Sequence, residues 1–448
     1  MPSADPSGGR KPDTIAAIAT PAGRGAIGIV RVSGPLAPDV ARRLLGRLPS
    51  PRVATYGAAR NAAGQLLDEG LALYFPAPRS YTGEHSLEFH AHGGPVVLRS
   101  VLAACLDAGA RLAEPGEYTR RAFLNGRMDL AQAEAVADLI DAASEEAARS
   151  AVRSLTGEFS AAIEGLTAQL VELRALTEAV LDFPEEEVGA LHGDDAAARL
   201  TRLRAALDAI LTRSREGSLL RTGIHVVLAG RPNVGKSSLL NRLAGEERAI
   251  VTPVPGTTRD AVRESIQIDG VPLNLVDTAG LRDSHDVVER LGIERARQEV
   301  ARADLVLAVH DASAADHTLQ VKAPAAAARI DVYNKADLAP GFRAPAGGHA
   351  AVCVSAKTGM GMEALRLAIL EAVGWKSHGE SVFLARERHL RALQAAGAHL
   401  AAAAGHRRQW ELFAEELRLG QQALAAITGE FSADDLLGEI FARFCIGK

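Results

Sequence analysis

Cysteine is scarce: Cys105, Cys353 and Cys445 stand far apart in a chain of 448 residues. They form no C-x-x-C pair and no zinc spacing, and their odd number leaves no complete disulfide framework, a usage that fits a reducing cytosol. No window reaches the roughly 18 uninterrupted apolar residues of a membrane span. The opening MPSADPSGGRKPD lacks an apolar core of signal-peptide length, so the expectation is a soluble cytoplasmic protein with no membrane span. A basic excess is also missing. With a net charge of −5 and a pI near 6.3, the chain has no generally basic nucleic-acid surface, and any RNA contact must be local. No G-x-G-x-x-G leads from a strand-like run into a helix, since GRGAIG at Gly23 to Gly28 runs into a second strand-like segment, so a flavin or dinucleotide would have to come from a partner.

What is present is a stretch from Val226 to Asn241, VVLAGRPNVGKSSLLN, an apolar strand that ends in a glycine loop and opens into a helix. Gly230, Gly235, Lys236 and Ser237 match G-x-x-x-x-G-K-[ST], with Asn233, Val234 and Ser238 in the same turn. Such a loop wraps backbone N–H groups around a polyphosphate at a helix N-terminus; the lysine reaches the β- and γ-phosphates and the serine hydroxyl coordinates magnesium. Asp277, Thr278, Ala279 and Gly280 follow the run Leu273-Asn274-Leu275-Val276 and read as the second magnesium-side element. Asn334, Lys335 and Asp337 form N-K-x-D, whose aspartate accepts two hydrogen bonds from guanine and rejects adenine. Ser355, Ala356 and Lys357 close the base pocket. Four elements in this order, each after a strand-like run, point to GTP as the substrate, with Mg2+.

At this length, typical domain sizes give about three domains. Residues 1 to 12 are rich in Pro, Gly and Ser, and order is expected from Asp13. Thr14 to Ala19 and Ile27 to Val32 read as strands around TPAGRGA. Leu71, Leu73 and Phe75 alternate on a third strand, and Leu87, Phe89 and Ala91 on a fourth, which sets Glu88, His90 and His92 on one face. That E-x-H-x-H face is open to three readings: a metal site, a ligand-facing surface or a solvated edge. A helix follows from Gly93-Gly94-Pro95 to Ala108. From Leu130 the pattern turns helical: Val136, Leu139 and Ile140 share a face, and Leu166, Leu170, Leu173 and Leu176 continue at helical spacing up to Pro184. A further helix is expected over Asp194 to Arg213, with Gly217 and Gly223 marking the passage into the nucleotide domain. That domain ends near Trp375. Helix-forming composition resumes near Ser381, interrupted at Gly405 and Gly429. Ser432 with Asp435 is expected to cap a last helix from Ala433 to Phe444.

Taken segment by segment, the chain resembles the MnmE/TrmE family of tRNA-modification GTPases. The resemblance rests on DTIAAIATPAGRGAIGIVRVSGP, YTGEHSLEFHAHGG, PGEYTRRAFLNGRMDLAQAEAVADLIDA, LDFPEEE and the ending TGEFSADDLLGEIFARFCIGK. The phosphate loop is shared by many GTPases; the flanking blocks and the ending single out this family. The resemblance implies a multidomain α/β and α+β fold. Its parts would be an N-terminal tetrahydrofolate-binding and dimerisation domain over 1–125, a discontinuous helical bundle over 126–222 and 377–448, and an inserted Ras-like P-loop GTPase domain over 223–376. It also implies a homodimer, an FAD-dependent partner of the MnmG/GidA type, and tRNA as the object of modification at the wobble uridine.

The position after DTAG, where Ras-like enzymes carry a water-orienting glutamine, is Leu281, which cannot orient a water. The resemblance assigns that role to Glu289, in VERLGI; a solvated helix-face glutamate is the alternative. No arginine finger is assignable, and the resemblance implies K+ instead, held by Asn233 and by Thr252, Val254 and Thr257 of the loop Thr252-Pro253-Val254-Pro255-Gly256-Thr257-Thr258, with Thr258 completing the magnesium shell. Pro253 and Pro255 stand where the family more often has Asp and Ala, a change expected to stiffen that loop and to bear on the potassium affinity. Arg31, Glu88, Arg127 and Lys448 match its folate-contacting positions, Arg127 standing where relatives often have lysine. Ordinary surface ion pairs are the alternative for each. Cys445 is either a catalytic thiol at the folate site or a buried packing residue. Against the modification enzyme stands a regulatory or ribosome-assembly GTPase of the Era type, without modification chemistry.

Overall fold

The computed structural model describes residues 13–182, 188–246, 263–277, 303–314, 327–345, 348–375, 382–406, 409–429, 434–442, 444, 446 and 447. The chain forms two compact units, Met1–Ala137 with Thr428–Lys448, and Asp138–Ile427. Among the described residues no helix is long and apolar enough to cross a membrane.

The first unit holds β1 (Ile15–Ile18), β2 (Ile27–Ser33), α1 (Ala37–Leu45), β3 (Thr55–Arg60), β4 (Leu66–Phe75), β5 (Ser86–His92), α2 (Pro95–Asp107), β6 (Arg111–Leu112), α3 (Glu117–Leu124) and the start of α4 (Leu130–Ile140). One sheet runs in the order β3-β4-β5-β2-β1-β6. Alternation along β2 and β5 sends Val30, Val32, Leu87, Phe89 and Ala91 into a core with Val40 and Leu44 of α1 and Leu98 and Val101 of α2. Each large side chain buried there contributes on the order of 1.5–3 kcal/mol. The same alternation leaves Arg31, Glu88 and His90 on the opposite face. Pro95 opens α2 after an extended Gly94, where a missing N–H costs nothing. Helix α1 stops at Gly46 in the left-handed conformation.

The C-terminal helix Asp434–Phe441 packs Leu437, Ile440 and Phe441 against Leu130 and Ala133. It ends three residues before the expected Phe444, since the Phe444 N–H donates to the Phe441 carbonyl in a turn at 3.1 Å. Ser432 and Ala433 lie outside the described residues, so the expected cap does too.

The second unit begins with α5 (Glu145–Leu155), α6 (Glu158–Asp182) and α7 (Val188–Thr222). Ser144 caps α5 by accepting the Ala147 N–H at 3.1 Å. Leu166, Leu170 and Leu173 of α6 are buried, whereas Leu176 is 36% exposed and leaves the expected apolar row. Helix α7 is longer than Asp194 to Arg213 and carries Gly217 inside it. A side chain at Gly217 would strike the Phe383 carbonyl, so the glycine serves close packing and ends nothing. Gly223, at φ +69°, marks the break before β7 (Ile224–Gly230).

Next come α8 (Lys236–Glu246), β8 (Arg263–Ile268), β9 (Val271–Asp277), β10 (Leu305–Asp311), β11 (Ala328–Asn334), β12 (Ala350–Cys353) and α9 (Met362–Ala372). The sheet order is β12-β11-β10-β7-β9-β8, parallel apart from the β8–β9 hairpin. Its inner strands, such as LVLAV in β10, are buried on both faces, as parallel strands covered by helices are. Helices α10 (Glu387–Gly405) and α11 (Trp410–Thr428) complete the unit.

Candidate functional site

Strand β7 ends at Gly230, where a side chain would stand 2.5 Å from the Val309 carbonyl oxygen. The chain then turns through Asn233, at φ +63°, and Gly235, at φ +91°, before α8 starts at Lys236. Val234 is buried with Leu239 and Leu240, which pins the loop to the core. Ser237 and Ser238 lie at the exposed first turn of α8, where the outward-facing backbone N–H groups of a helix start and the helix dipole favour an anion. Lys236 is buried, and its Nζ donates to the carbonyls of Gly230 at 2.9 Å and Arg231 at 3.1 Å, so its charge is held over the loop that would carry the phosphates.

Asn334 closes β11 and is 2% exposed. Its Nδ2 donates to the Val234 carbonyl at 2.9 Å, and its Oδ1 accepts the Ala356 N–H at 3.0 Å. One side chain therefore ties the phosphate loop to the Ser355-Ala356-Lys357 loop. A side chain at Gly235 would collide with the Asn334 amide, which explains the glycine there. Ser355 is fully buried and its Oγ accepts the Thr358 N–H at 3.1 Å, while Lys357 is exposed. Asp337 lies in a 3-10 turn, Ala336–Leu338, launched by Lys335 at φ +62°. The Lys335 Nζ reaches the Asn233 carbonyl at 2.7 Å. Asp277 ends β9 with its backbone opposite Leu228 of β7. Thr278, Ala279, Gly280, Thr252, Pro253, Val254, Pro255, Gly256, Thr257, Thr258 and Glu289 lie outside the described residues.

In the first unit, register sets Arg31 of β2 directly opposite Glu88 of β5. The Arg31 Nη2 and Nε lie 2.8 and 2.9 Å from Glu88 Oε1, and Nη1 donates to the Gly447 carbonyl at 3.3 Å. Tyr81 and Tyr118 flank the guanidinium, with ring centroids 5.9 and 5.7 Å away. Tyr118 Oη also donates to the Arg31 carbonyl at 2.7 Å. Neither tyrosine stands out in the sequence, since strand alternation says nothing of residues that approach from a loop and a helix. Arg127 is exposed, and its stem packs beside Gly83, two residues from Tyr81. The described end of the tail lies against this sheet: Ile446 bridges Pro115, and Gly447, at φ +97°, abuts the Ile18 carbonyl too closely for a side chain. Cys445 and Lys448 fall outside the described residues.

Glu88, His90 and His92 do not converge. His92 turns to Asp68, 2.8 Å away, and His90 Nε2 lies 3.5 Å from Glu88 Oε2, buried and without a hydrogen-bond partner. Among the described residues no group of three His, Cys, Asp or Glu side chains could hold a metal. A buried imidazole nitrogen that makes no hydrogen bond, close to the Glu88 carboxylate, fits a polar, multiply hydrogen-bonding ligand.

Residues 130–445 match the model of the MnmE helical domain, and residues 14–127 match that of the GTP-binding protein TrmE N-terminus. The tRNA modification GTPase MnmE of Azoarcus sp. strain BH72 is 60% identical over 98% of this chain and 99% of its own. The protein of that name from Thiobacillus denitrificans is 57% identical over 98% of each chain. Among solved structures, the FeoB G-domain from Methanococcus jannaschii is 27% identical and covers 33% of this chain and 96% of its own, with a TM-score of 0.25. With a family model spanning well over half its length and near-full-length relatives this similar, the chain belongs to the MnmE family of tRNA-modification GTPases.

Proposed function

We propose that the chain is a potassium-stimulated GTP hydrolase that works as a homodimer with an FAD-dependent partner of the MnmG/GidA type. Together they add a carboxymethylaminomethyl group at the wobble uridine of certain tRNAs, drawing on a one-carbon tetrahydrofolate. The observation that carries the nucleotide half is Asn334, whose single side chain joins the phosphate loop to the base loop. Residues 223–376 are then the nucleotide domain. Lys236 supplies positive charge against the transferring phosphoryl group. Ser237 and Thr258 would hold Mg2+, and Asn233, Thr252, Val254 and Thr257 would hold K+, which supplies the charge an arginine finger gives elsewhere. Glu289 orients the attacking water in place of the absent glutamine.

Support for the folate half is the convergence of Arg31, Glu88 and the Gly447 carbonyl, with the His90 nitrogen, which makes no hydrogen bond, 3.5 Å from the Glu88 carboxylate. A carboxylate at Glu88 suits the donor edge of a pterin, and Arg31, Arg127 and Lys448 suit its glutamate tail. The folate, when bound, supplies the one-carbon unit; Cys445 is the candidate thiol beside it. The test is the wobble-nucleoside content of tRNA from a deletion strain, with and without the gene restored. We expect the modified nucleoside to vanish and return. Unchanged nucleosides with defective ribosome assembly would replace this reading with an Era-type one. Hydrolysis should be faster in potassium than in sodium, and Glu289→Ala should lower turnover by roughly two orders of magnitude, the scale of a lost water-positioning group.

A further inference from the structure

We propose that Asp311, at the end of β10, is a positioning residue for the guanine nucleotide: it clamps Lys335 onto the phosphate loop, and so sets how fast nucleotide leaves and how sharply the guanine 2-amino group is read. The proposal rests on the guanine-nucleotide reading above and adds a residue outside the motifs that define it.

Among the described residues only Arg52, Asn233, Asp269 and Lys335 are non-glycine residues with positive φ. A left-handed conformation costs a residue such as Lys335 roughly 1–2 kcal/mol, less for asparagine, and persists where the surroundings over-determine it. Two of the four, Asn233 and Lys335, are joined directly, Lys335 Nζ donating to the Asn233 carbonyl at 2.7 Å. A lysine ammonium on a flexible stem does not hold one carbonyl unaided. Asp311 completes the hold: its Oδ2 accepts from the same Nζ at 2.6 Å.

Asp311 is itself fixed. Its Oδ1 accepts the Ser313 N–H at 3.0 Å and the Ser313 hydroxyl at 2.6 Å. Its backbone stands opposite Asn334 in the β10–β11 pairing, and the Ala312 N–H donates to the Asn334 carbonyl at 2.8 Å. Burial alone would raise the Asp311 pKa, but the bonds from Lys335 and Ser313 outweigh it and lower the value, so the carboxylate is charged at neutral pH. Both side chains of the pair are partly buried, at 31% and 20% exposure, where a charge-assisted bond keeps more of its strength than at an open surface. The clamp acts at both ends of the ligand. Toward the phosphates it holds the Asn233 turn. Toward the base it holds Lys335, whose carbonyl accepts the Leu338 N–H at 2.9 Å and so anchors the turn that carries Asp337.

The test uses the full chain, a fluorescent GDP analogue for release rates, and calorimetry with GDP, with inosine diphosphate (which lacks the 2-amino group) and with ADP. Asp311→Asn should release GDP roughly tenfold faster, the scale of one charge-assisted hydrogen bond. It should also shrink the preference for GDP over inosine diphosphate, a ratio that general destabilisation does not move. Ser313→Ala should shift both in the same direction by less. In a Lys335→Met background Asp311→Asn should add nothing further, because it acts through that lysine. Unchanged release and preference in a folded Asp311→Asn, or losses that add fully in the double variant, would overturn the clamp. A parent protein that binds ADP as well as GDP would instead remove the guanine reading, and the clamp with it.

Discussion

Asn334 shows how much one buried amide can carry. Replacing it with alanine leaves the Val234 carbonyl and the Ala356 N–H without the partner each has now, and a buried polar group left unmatched costs about 1–3 kcal/mol. Asn334→Ala should therefore weaken GDP binding by roughly ten- to a hundredfold, read by calorimetry; affinity within twofold of the parent would mean that the two loops are held by other contacts. Glu117 makes a second case. Burial would push its pKa up, but bonds from Arg111, the Glu114 N–H and Arg121 outweigh this and hold it at about 2, against 4.5 ordinarily. A carboxylate lowered in the folded state stabilises fully above its unfolded value. That stability, about 3 kcal/mol by linkage, is lost as the pH falls from about 4.5 to about 2. Glu117→Gln should lose stability at neutral pH, and the gap in denaturant midpoint from the parent should close across that acid window; a gap independent of pH would count against the assignment. At this scale the motif residues were legible because their chemistry dictates their spacing. Tyr81, Tyr118 and Asp311 were not, since each meets its partner through the fold and belongs to no linear pattern.

At the scale of elements, the long helix α7 is the instructive one. A reading by propensity stops a helix near a glycine, yet Gly217 lies inside α7 because the chain at Phe383 crosses it closely. The same crossing sets Phe383 beside Phe159, at 5.2 Å between ring centroids, and under the Arg213 guanidinium at 3.9 Å. Gly217→Ala, favourable in an isolated helix by about 1 kcal/mol, should instead destabilise this protein by about 1–3 kcal/mol, the usual cost of overpacking. Thermal or denaturant unfolding measures it, and a stabilised variant would show that the crossing relaxes freely. Strands β2, β4 and β5 could be read because alternating burial writes itself into their sequence. Strand β3, TYGAAR, could not: it is the sheet edge, its burial is shallow, and its composition resembles a loop. The two-residue β6 is too short to carry any period.

The whole chain keeps its two candidate sites in different compact units: Arg31 and Glu88 belong to Met1–Ala137 with Thr428–Lys448, and the nucleotide residues to Asp138–Ile427. Each has its own core, so damage to the charged face of one sheet need not reach the other. If tRNA modification needs both sites and hydrolysis needs only the second, two substitutions should separate the activities. Lys236→Ala removes the charge over the phosphate loop and should cost both hydrolysis and modification. Arg31→Ala removes the partner of Glu88 and the donor to Gly447, and should abolish the modified wobble nucleoside while purified protein still hydrolyses GTP. Conservative Arg31→Lys keeps the charge without the fork that engages Glu88 and Gly447 together, and should restore modification only in part. The readings are the nucleoside content of tRNA from complemented deletion strains and the steady-state hydrolysis of the same variants. Loss of hydrolysis in Arg31→Ala would make the front face part of the GTPase, and full modification by that variant would leave Arg31 a structural residue that merely fastens the tail.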